Sequence, residues 1–348
     1  DQSGPSLQVR SLYTLIRRGM GKGIAERLET VKLPVITSFY AAAMAAEELT
    51  DLPVYCIICD ADTNRVWVAE NPRQSRIVYF APCGSAMRRL REYGVPDERI
   101  FLTGFPLPIE NIGKDMEILR HDLARRLIRL DPTKRFRIIH GDEVRSYLGD
   151  CWDPDREAGP LTITFAVGGA GAQKEIAAGA VKSLSGLIKE GKIRLNLVAT
   201  HRQEVRDYFV KLAEKNGLSA SGNIRILYDP DKNEYFRQFN ALLRDTDILW
   251  TKPSEMSFYC GLGLPIVIAP PIGPHEVCNQ RWLRDLGAGL HQADPQYCSE
   301  WITDYLVDGK LSLAAWDGFL YARKLGVEKI VEVLTTGKME RHYNPLLR

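Results

Sequence analysis

Six polar side chains fall at turns within residues 244–290, RDTDILWTKPSEMSFYCGLGLPIVIAPPIGPHEVCNQRWLRDLGAGL: Lys252, Ser254, Glu255, His275, Glu276 and Asn279. The stretch reads strand, turn, short helix, strand, loop, helix. A carboxylate at the carboxyl edge of a parallel sheet can accept both hydroxyls of a ribose. Pro253 suits a first helical turn and places Glu255 at such an edge, with Ser254 and Lys252 beside it. After the PPIGP turn, His275, Glu276 and Asn279 open the next helix, and the i, i+3 spacing puts Glu276 and Asn279 on one face. Side chains of these types hydrogen-bond sugar hydroxyls. The same acidic residues also complement a helix dipole, and Asn279 also fits a solvated surface. Upstream, Gly168, Gly169, Ala170, Gly171 and Ala172 join a strand to a helix. Glycines let a diphosphate approach the backbone, and the helix start offers free amides and a positive dipole end. No Lys-Ser or Lys-Thr follows, so this is not a Walker loop. A tight strand-to-helix turn needs glycine even without a ligand.

The elements that must position these residues alternate. LPVITSF, LPVYCIICD, SRIVYFAP and RIFLTGFPLP read as strands, with AAAMAAEEL and SAMRRLREYG as helices between them. A second series follows: strands at 161–167, 193–199, 224–228, 247–251 and 265–269, and helices at 173–190, 202–216, 233–244, 255–262 and 276–286. Such alternation predicts an α/β class with parallel sheets and helices on both faces, as two Rossmann-like domains. Residues 1–30 read as a loop and a helix, interrupted at RRGMGKG by a glycine break with solvated charges. MEILRHDLARRLIRL reads as a basic amphipathic helix, and RFRIIHG as a short strand or extended linker. GDCWDPDREAGP (149–160) has no periodicity and sets the expected boundary: an N-terminal domain over 1–155, a second domain over 156–312, and a helical tail over 313–348 packing back toward the first.

The 348 residues suffice for two ordinary domains, and 45% hydrophobic with 26% charged residues is soluble globular usage. A net charge of +2 argues for no nucleic-acid partner. No apolar run is long enough for a transmembrane helix. Seven scattered cysteines suit a cytoplasmic protein better than a disulfide framework. Cys56 and Cys59 form a CxxC inside an apolar strand, where free cysteines pack as small hydrophobes; no second pair accompanies them, so no metal is expected. The start at Asp1, without Met, reads as a processed or truncated product or as a chain that further residues precede.

Residues 161–290 resemble the donor half of GT-B glycosyltransferases, nearest the branch of MurG and the monogalactosyldiacylglycerol synthases. Gly168-Gly169-Ala170-Gly171-Ala172 resembles that branch's glycine-rich loop, one residue shorter. Thr251-Lys252-Pro253-Ser254, Gly263-Leu264-Pro265, His275-Glu276-Val277-Cys278-Asn279 and Gly287-Ala288-Gly289 resemble its later motifs in order. ICDADTNRVWV and SAMRRLREYGVPDERIFLTGFPL extend the resemblance to the first half. It departs in two places: the helix before Gly263 is two residues shorter, and nothing before Leu33 matches the family's opening strand and His-containing loop.

The resemblance implies transfer of a sugar from a nucleotide-diphosphate donor, a UDP-sugar, to a hydroxyl acceptor, without metal or other cofactor. Gly168–Ala172 then hold the diphosphate; Glu255, Ser254, Lys252 and His201 serve the ribose and nucleobase; His275, Glu276 and Asn279 serve the sugar. Asp60 is the candidate base, with Asp62, Arg65 and Trp67 on the acceptor side. The branch glycosylates lipids at the inner membrane face, and the basic stretches Arg17–Lys22 and Arg120–Arg137 suit anionic lipid, so a peripheral location follows. Two alternatives stay open: a nucleotide-sugar epimerase on the same fold, and a nucleotide- or partner-binding protein without catalysis.

Overall fold

The computed structural model describes residues 4–166, 173–342 and 344. The chain forms two compact units: Asp1–Pro106 with Arg323–Arg348, and Leu107–Ala322.

The first unit opens with α1 (Leu7–Arg17) and α2 (Lys22–Val31). They are broken where Gly19 (φ +107°) and Gly21 (φ +88°) take conformations open to glycine. Arg17 at this break is held by Glu48 and Glu70, each at 2.9 Å, so part of the break's charge is paired internally. A four-stranded parallel sheet follows in simple order: β1 (Val35–Thr37), β2 (Val54–Ile57), β3 (Val78–Phe80) and β4 (Ile100–Phe101). Helices α3 (Tyr40–Leu49) and α4 (Gly84–Glu92) complete its crossovers. Cys56 packs fully buried in β2 as a small hydrophobe, and burial pushes its thiol pKa up.

The second unit begins with α5 (Glu117–Arg129) and α6 (Arg135–Leu148). RFRIIHG, expected as strand or linker, is the start of α6. Its β-branched pair Ile138 and Ile139 misleads, because both are exposed. The buried Asp131 carboxylate accepts the amides of Phe136 and Arg137 at 3.0 Å and the Arg137 guanidinium at 3.0 Å. These bonds satisfy the helix's first free donors from a residue outside the heptapeptide.

A six-stranded parallel sheet forms the core. Its strands are β5 (Leu161–Ala166), β6 (Ile193–Thr200), β7 (Ile224–Tyr228), β8 (Ile248–Thr251), β9 (Ile266–Ile268) and β10 (Gly289–His291). The order is β10-β9-β8-β5-β6-β7. Helices α7 (Ile176–Lys189), α8 (Gln203–Lys215), α9 (Lys232–Asp245) and α10 (Pro274–Asp285) link these strands, with a 3₁₀ helix Glu255–Leu262 between β8 and β9. Every residue of β5, β8 and β9 is buried, as expected for strands covered on both faces. β10, a short edge strand at the Gly-Ala-Gly motif, was not anticipated. Helices α11 (Cys298–Val307) and α12 (Lys310–Tyr321) close the unit.

The unit boundary falls after Pro106, not near 155. The reason is Arg126 of α5, 2% exposed. It donates to the carbonyls of Thr246 (2.8 Å), Leu262 (2.8 Å) and Gly263 (3.2 Å), where α9 and the 3₁₀ helix end. Buried carbonyls need such donors, and this one guanidinium serves all three. The tail also divides later than expected. α12 stays with the second unit, and α13 (Gly326–Thr336) joins the first. Ile330 and Val333 of α13 form a core with Phe80 of β3. At the start of α13, Gly326 lies so close to the Phe105 carbonyl that a Cβ would stand 2.2 Å from its oxygen. No helix among the described residues is long and apolar enough to cross a membrane.

Asp247 caps the start of β8 from inside the core. Its carboxylate accepts the Thr162 amide at 2.8 Å and lies 3.4 Å from Arg129. Burial raises its pKa to about 6, against the lowering pull of Arg129 and the Thr162 amide. The folded state therefore holds this proton more tightly than the unfolded chain. Stability is lost as pH rises from about 4 to 6, by at most about 3 kcal/mol. Asp247→Asn is expected to flatten that part of the profile, as measured by urea midpoints for both proteins between pH 4 and 7.

Candidate nucleotide-binding edge of the second unit

Strands β5, β6 and β7 step one way from β5, and β8, β9 and β10 step the other. The crossovers on the two sides of the β5–β8 pair therefore diverge, leaving a crevice at its carboxyl end; this is where open parallel sheets bind ligands. Register partners bring Ala166, Thr251 and Ile268 level at that edge. The Thr251 hydroxyl donates to the Ala166 carbonyl at 2.8 Å and locks the two central strand ends. The starts of α7, α10 and the 3₁₀ helix follow these strand ends, so their free amides and positive dipole ends gather there.

The turn after β8 divides its polar groups into bonded and unbonded ones. Lys252 gives its ammonium to Glu276 Oε1 at 2.6 Å. Glu276 is 2% exposed, and its other oxygen accepts the Ile272 amide at 2.7 Å. Burial alone would raise the Glu276 pKa; the Ile272 amide and Lys252 outweigh it, and the net shift is downward. Asn279, with no exposed surface, donates to the Pro253 carbonyl at 3.1 Å. Glu276 and Asn279, the candidate sugar contacts, bind α10 and the Pro270–Gly273 loop to the Lys252 turn.

Ser254 is 7% exposed, and its hydroxyl has no partner among the described residues; the buried Ser257 hydroxyl has none either. Glu255 is exposed, with no hydrogen-bond or ion-pair partner among the described residues. His275 projects its ring to solvent, 3.9 Å from Glu276.

His201 is exposed just beyond β6. The preceding Thr200 is β-branched yet left-handed (φ +57°), at a register shift between Val198 and Thr200. Such a conformation costs about 1–3 kcal/mol and collects at functional sites. The Thr200 hydroxyl is buried without a partner among the described residues. Neither Thr200 nor Gln173, which donates to the Pro270 carbonyl at 2.6 Å, was anticipated. A threonine at a strand end carries no signal of positive φ, and Gln173 was hidden behind the glycines. The diphosphate loop Gly168–Ala172 lies outside the described residues.

In the first unit, Asp60 is half-buried beyond the end of β2. Asp62 is paired with Arg89 at 3.0 Å and accepts the Thr63 amide at 2.8 Å. Arg65, expected on the acceptor side, is buried and holds its own loop, donating to the carbonyls of Gly4 (3.1 Å) and Ala69 (3.0 Å). Trp67 is half-buried, with its ring 5.4 Å from that of Tyr40.

A family model described as a domain of unknown function (DUF6938) matches residues 198–313. No curated protein matches the chain. Among solved structures, MnaA of S. aureus, solved with UDP, is similar at 12% identity and a TM-score of 0.53, over 97% of this chain and 82% of that one. The UDP-GlcNAc 2-epimerase of Neisseria meningitidis, solved with UDP-GlcNAc, is similar at 14% identity and a TM-score of 0.54, over 93% and 82%. MurG of Acinetobacter baumannii is similar at 15% identity and a TM-score of 0.49, over 94% and 78%.

The Lys252–Glu276 bond can be tested apart from any ligand. Lys252→Met leaves a buried carboxylate without its cation and is expected to cost about 3 kcal/mol at pH 7. A carboxyl with a depressed pKa stabilises above its unfolded pKa and loses that contribution as pH falls. Without Lys252 burial acts on the Glu276 carboxyl with less opposition and it takes up its proton more readily, so the deficit should shrink as pH falls: the gap between wild-type and Lys252→Met thermal midpoints is expected to narrow from pH 7 to pH 3. With two parallel sheets of four and six strands, helices on both faces and the likeness to MnaA and the Neisseria epimerase over most of the chain, the chain has the GT-B fold.

Proposed function

We propose that this protein transfers a glycosyl group from a nucleoside-diphosphate sugar, a UDP-sugar, to a hydroxyl acceptor. One observation carries the reading. At the carboxyl end of the β5–β8 pair, the polar groups of Glu255 and Ser254 have no hydrogen-bond partner among the described residues, while their neighbours Lys252, Glu276 and Asn279 are bonded into the scaffold. A carboxylate and a hydroxyl held at such an edge suit a ribose and an adjoining phosphate. The shared fold supports the choice of nucleotide, since MnaA was solved with UDP and the Neisseria epimerase with UDP-GlcNAc.

In this reading Glu255 accepts the ribose hydroxyls, and Ser254 donates to a phosphate oxygen. The Gly168–Ala172 loop and the start of α7 take the diphosphate, where amides stabilise the leaving group's charge in place of a metal. His201 lies toward the base and His275 toward the sugar. Lys252, Glu276 and Asn279 act as positioning residues that fix the turn. The acceptor oxygen attacks the anomeric carbon, the bond to the diphosphate breaks, and a general base takes the acceptor proton, a role for which Asp60 is the candidate. The acceptor side is the carboxyl edge of the first unit, where Asp60 and Trp67 follow β2. A lipid-borne acceptor and a peripheral cytoplasmic location fit the exposed apolar side chains Leu7, Leu15 and Ile24 beside Arg10, Arg18 and Lys22.

Titration calorimetry with UDP checks the donor site. The wild-type chain is expected to bind UDP, and Glu255→Ala to bind it at least about tenfold more weakly, the usual cost of losing hydrogen bonds to a charged group. Unchanged affinity would remove Glu255 from the site. UDP-GlcNAc and UDP-glucose with and without acceptor alcohols then separate transfer, which needs both, from turnover of donor alone.

A further inference from the structure

A second groove, of about 410 Å³, lies within the first unit, lined by residues of α1, the start of α3 and the loop after β2. Tyr40 and Trp67 form its aromatic part, with rings 5.4 Å apart and 62° between planes. Phe39, half exposed, continues the shelf with its ring 4.6 Å from Tyr40. Gln8 and Asn64 bring carboxamides to the same groove. No hydrogen-bond partner exists among the described residues for the Tyr40 hydroxyl, the Trp67 indole N–H, the Gln8 side chain or Asn64 Nδ2. Asn64 is held in place by its other end, where Oδ1 accepts the Val66 amide at 3.1 Å.

None of the seven lining residues carries a charge. A phosphate or carboxylate would find no cation there, and an acyl chain would leave the unbonded donors and acceptors dry, a cost of about 1–3 kcal/mol each. Aromatic faces next to neutral donors and acceptors suit one chemistry: a ring with apolar C–H faces and hydroxyls around its rim. We propose that this groove binds a neutral sugar ring and is where the acceptor is recognised. The acceptor role rests on the glycosyl-transfer reading; sugar binding itself does not.

The ring could arrive free or as the headgroup of a lipid, and the probes separate the two. Saturation-transfer NMR on the full chain would use methyl and octyl β-glycosides of glucose, galactose and N-acetylglucosamine, with glucuronic acid as the charged control. At least one neutral glycoside is expected to receive saturation on its ring C–H protons, and glucuronic acid none. Equal signals for methyl and octyl forms assign the ring as the ligand, and a several-fold stronger octyl signal assigns a lipid-borne ring. Trp67→Ala should abolish the signal. Ala41→Phe, which fills the groove without removing a contact, should weaken binding at least tenfold, while Gln8→Ala weakens it two- to fivefold. UDP affinity, measured in parallel, should stay unchanged in all three variants.

No saturation from any neutral glycoside overturns the proposal, and so does saturation that persists in Ala41→Phe. Loss of UDP binding in the wild-type chain with sugar binding intact would instead overturn the donor site alone.

Discussion

The point at which the second sheet reverses its winding governs the rest. Had β8 continued beyond β7, the crossovers would follow one sense and no crevice would open at a strand pair. Because β8 returns to the far side of β5, Ala166 and Thr251 end side by side with their connections leaving in opposite directions. Three helix starts then face one short stretch of sheet edge. In such a sheet the backbone itself supplies the positive potential, so an anionic ligand does not require a cluster of lysines. The near-neutral charge of the chain agrees with that economy.

Around this edge the polar residues do two different jobs. Lys252, Glu276, Asn279 and Gln173 bond to one another or to backbone, and together they tie the loops that follow β5, β8 and β9 to one another. Glu255 and Ser254 are carried by those same loops but have no hydrogen-bond partner among the described residues, and His275 is exposed beside Glu276. A recognition site needs both kinds, since a ligand-facing carboxylate is useful only if the turn beneath it is rigid. Thr200 belongs to the same economy: a strained backbone at the end of β6 turns His201 outward at a cost that the surrounding sheet supports.

The first unit shows a similar division with other chemistry. Arg65 and Asp62 lie near Trp67 in sequence, but both are engaged in holding loops. The aromatic shelf of Phe39, Tyr40 and Trp67 owes its exposure to that frame, because Arg65 secures the loop that presents Trp67.

By itself the sequence determined the α/β class, most strands of both sheets and the turns at which the polar motifs sit. Apolar periodicity and glycine placement are local properties, legible over a few residues. It also determined that Lys252, Ser254, Glu255 and the 275–279 helix start belong to one edge, since all follow consecutive strands of one parallel series. Tertiary structure decided which of those side chains are spent on the scaffold, because a carboxylate's partner depends on distances between loops far apart in sequence. It also decided the unit boundary and the helix at 135–148, through Arg126 reaching carbonyls more than a hundred residues away and Asp131 capping from outside the helix. Burial and long-range hydrogen bonding are not written in any window of the chain, and they separate a residue that holds a site from one that meets its ligand.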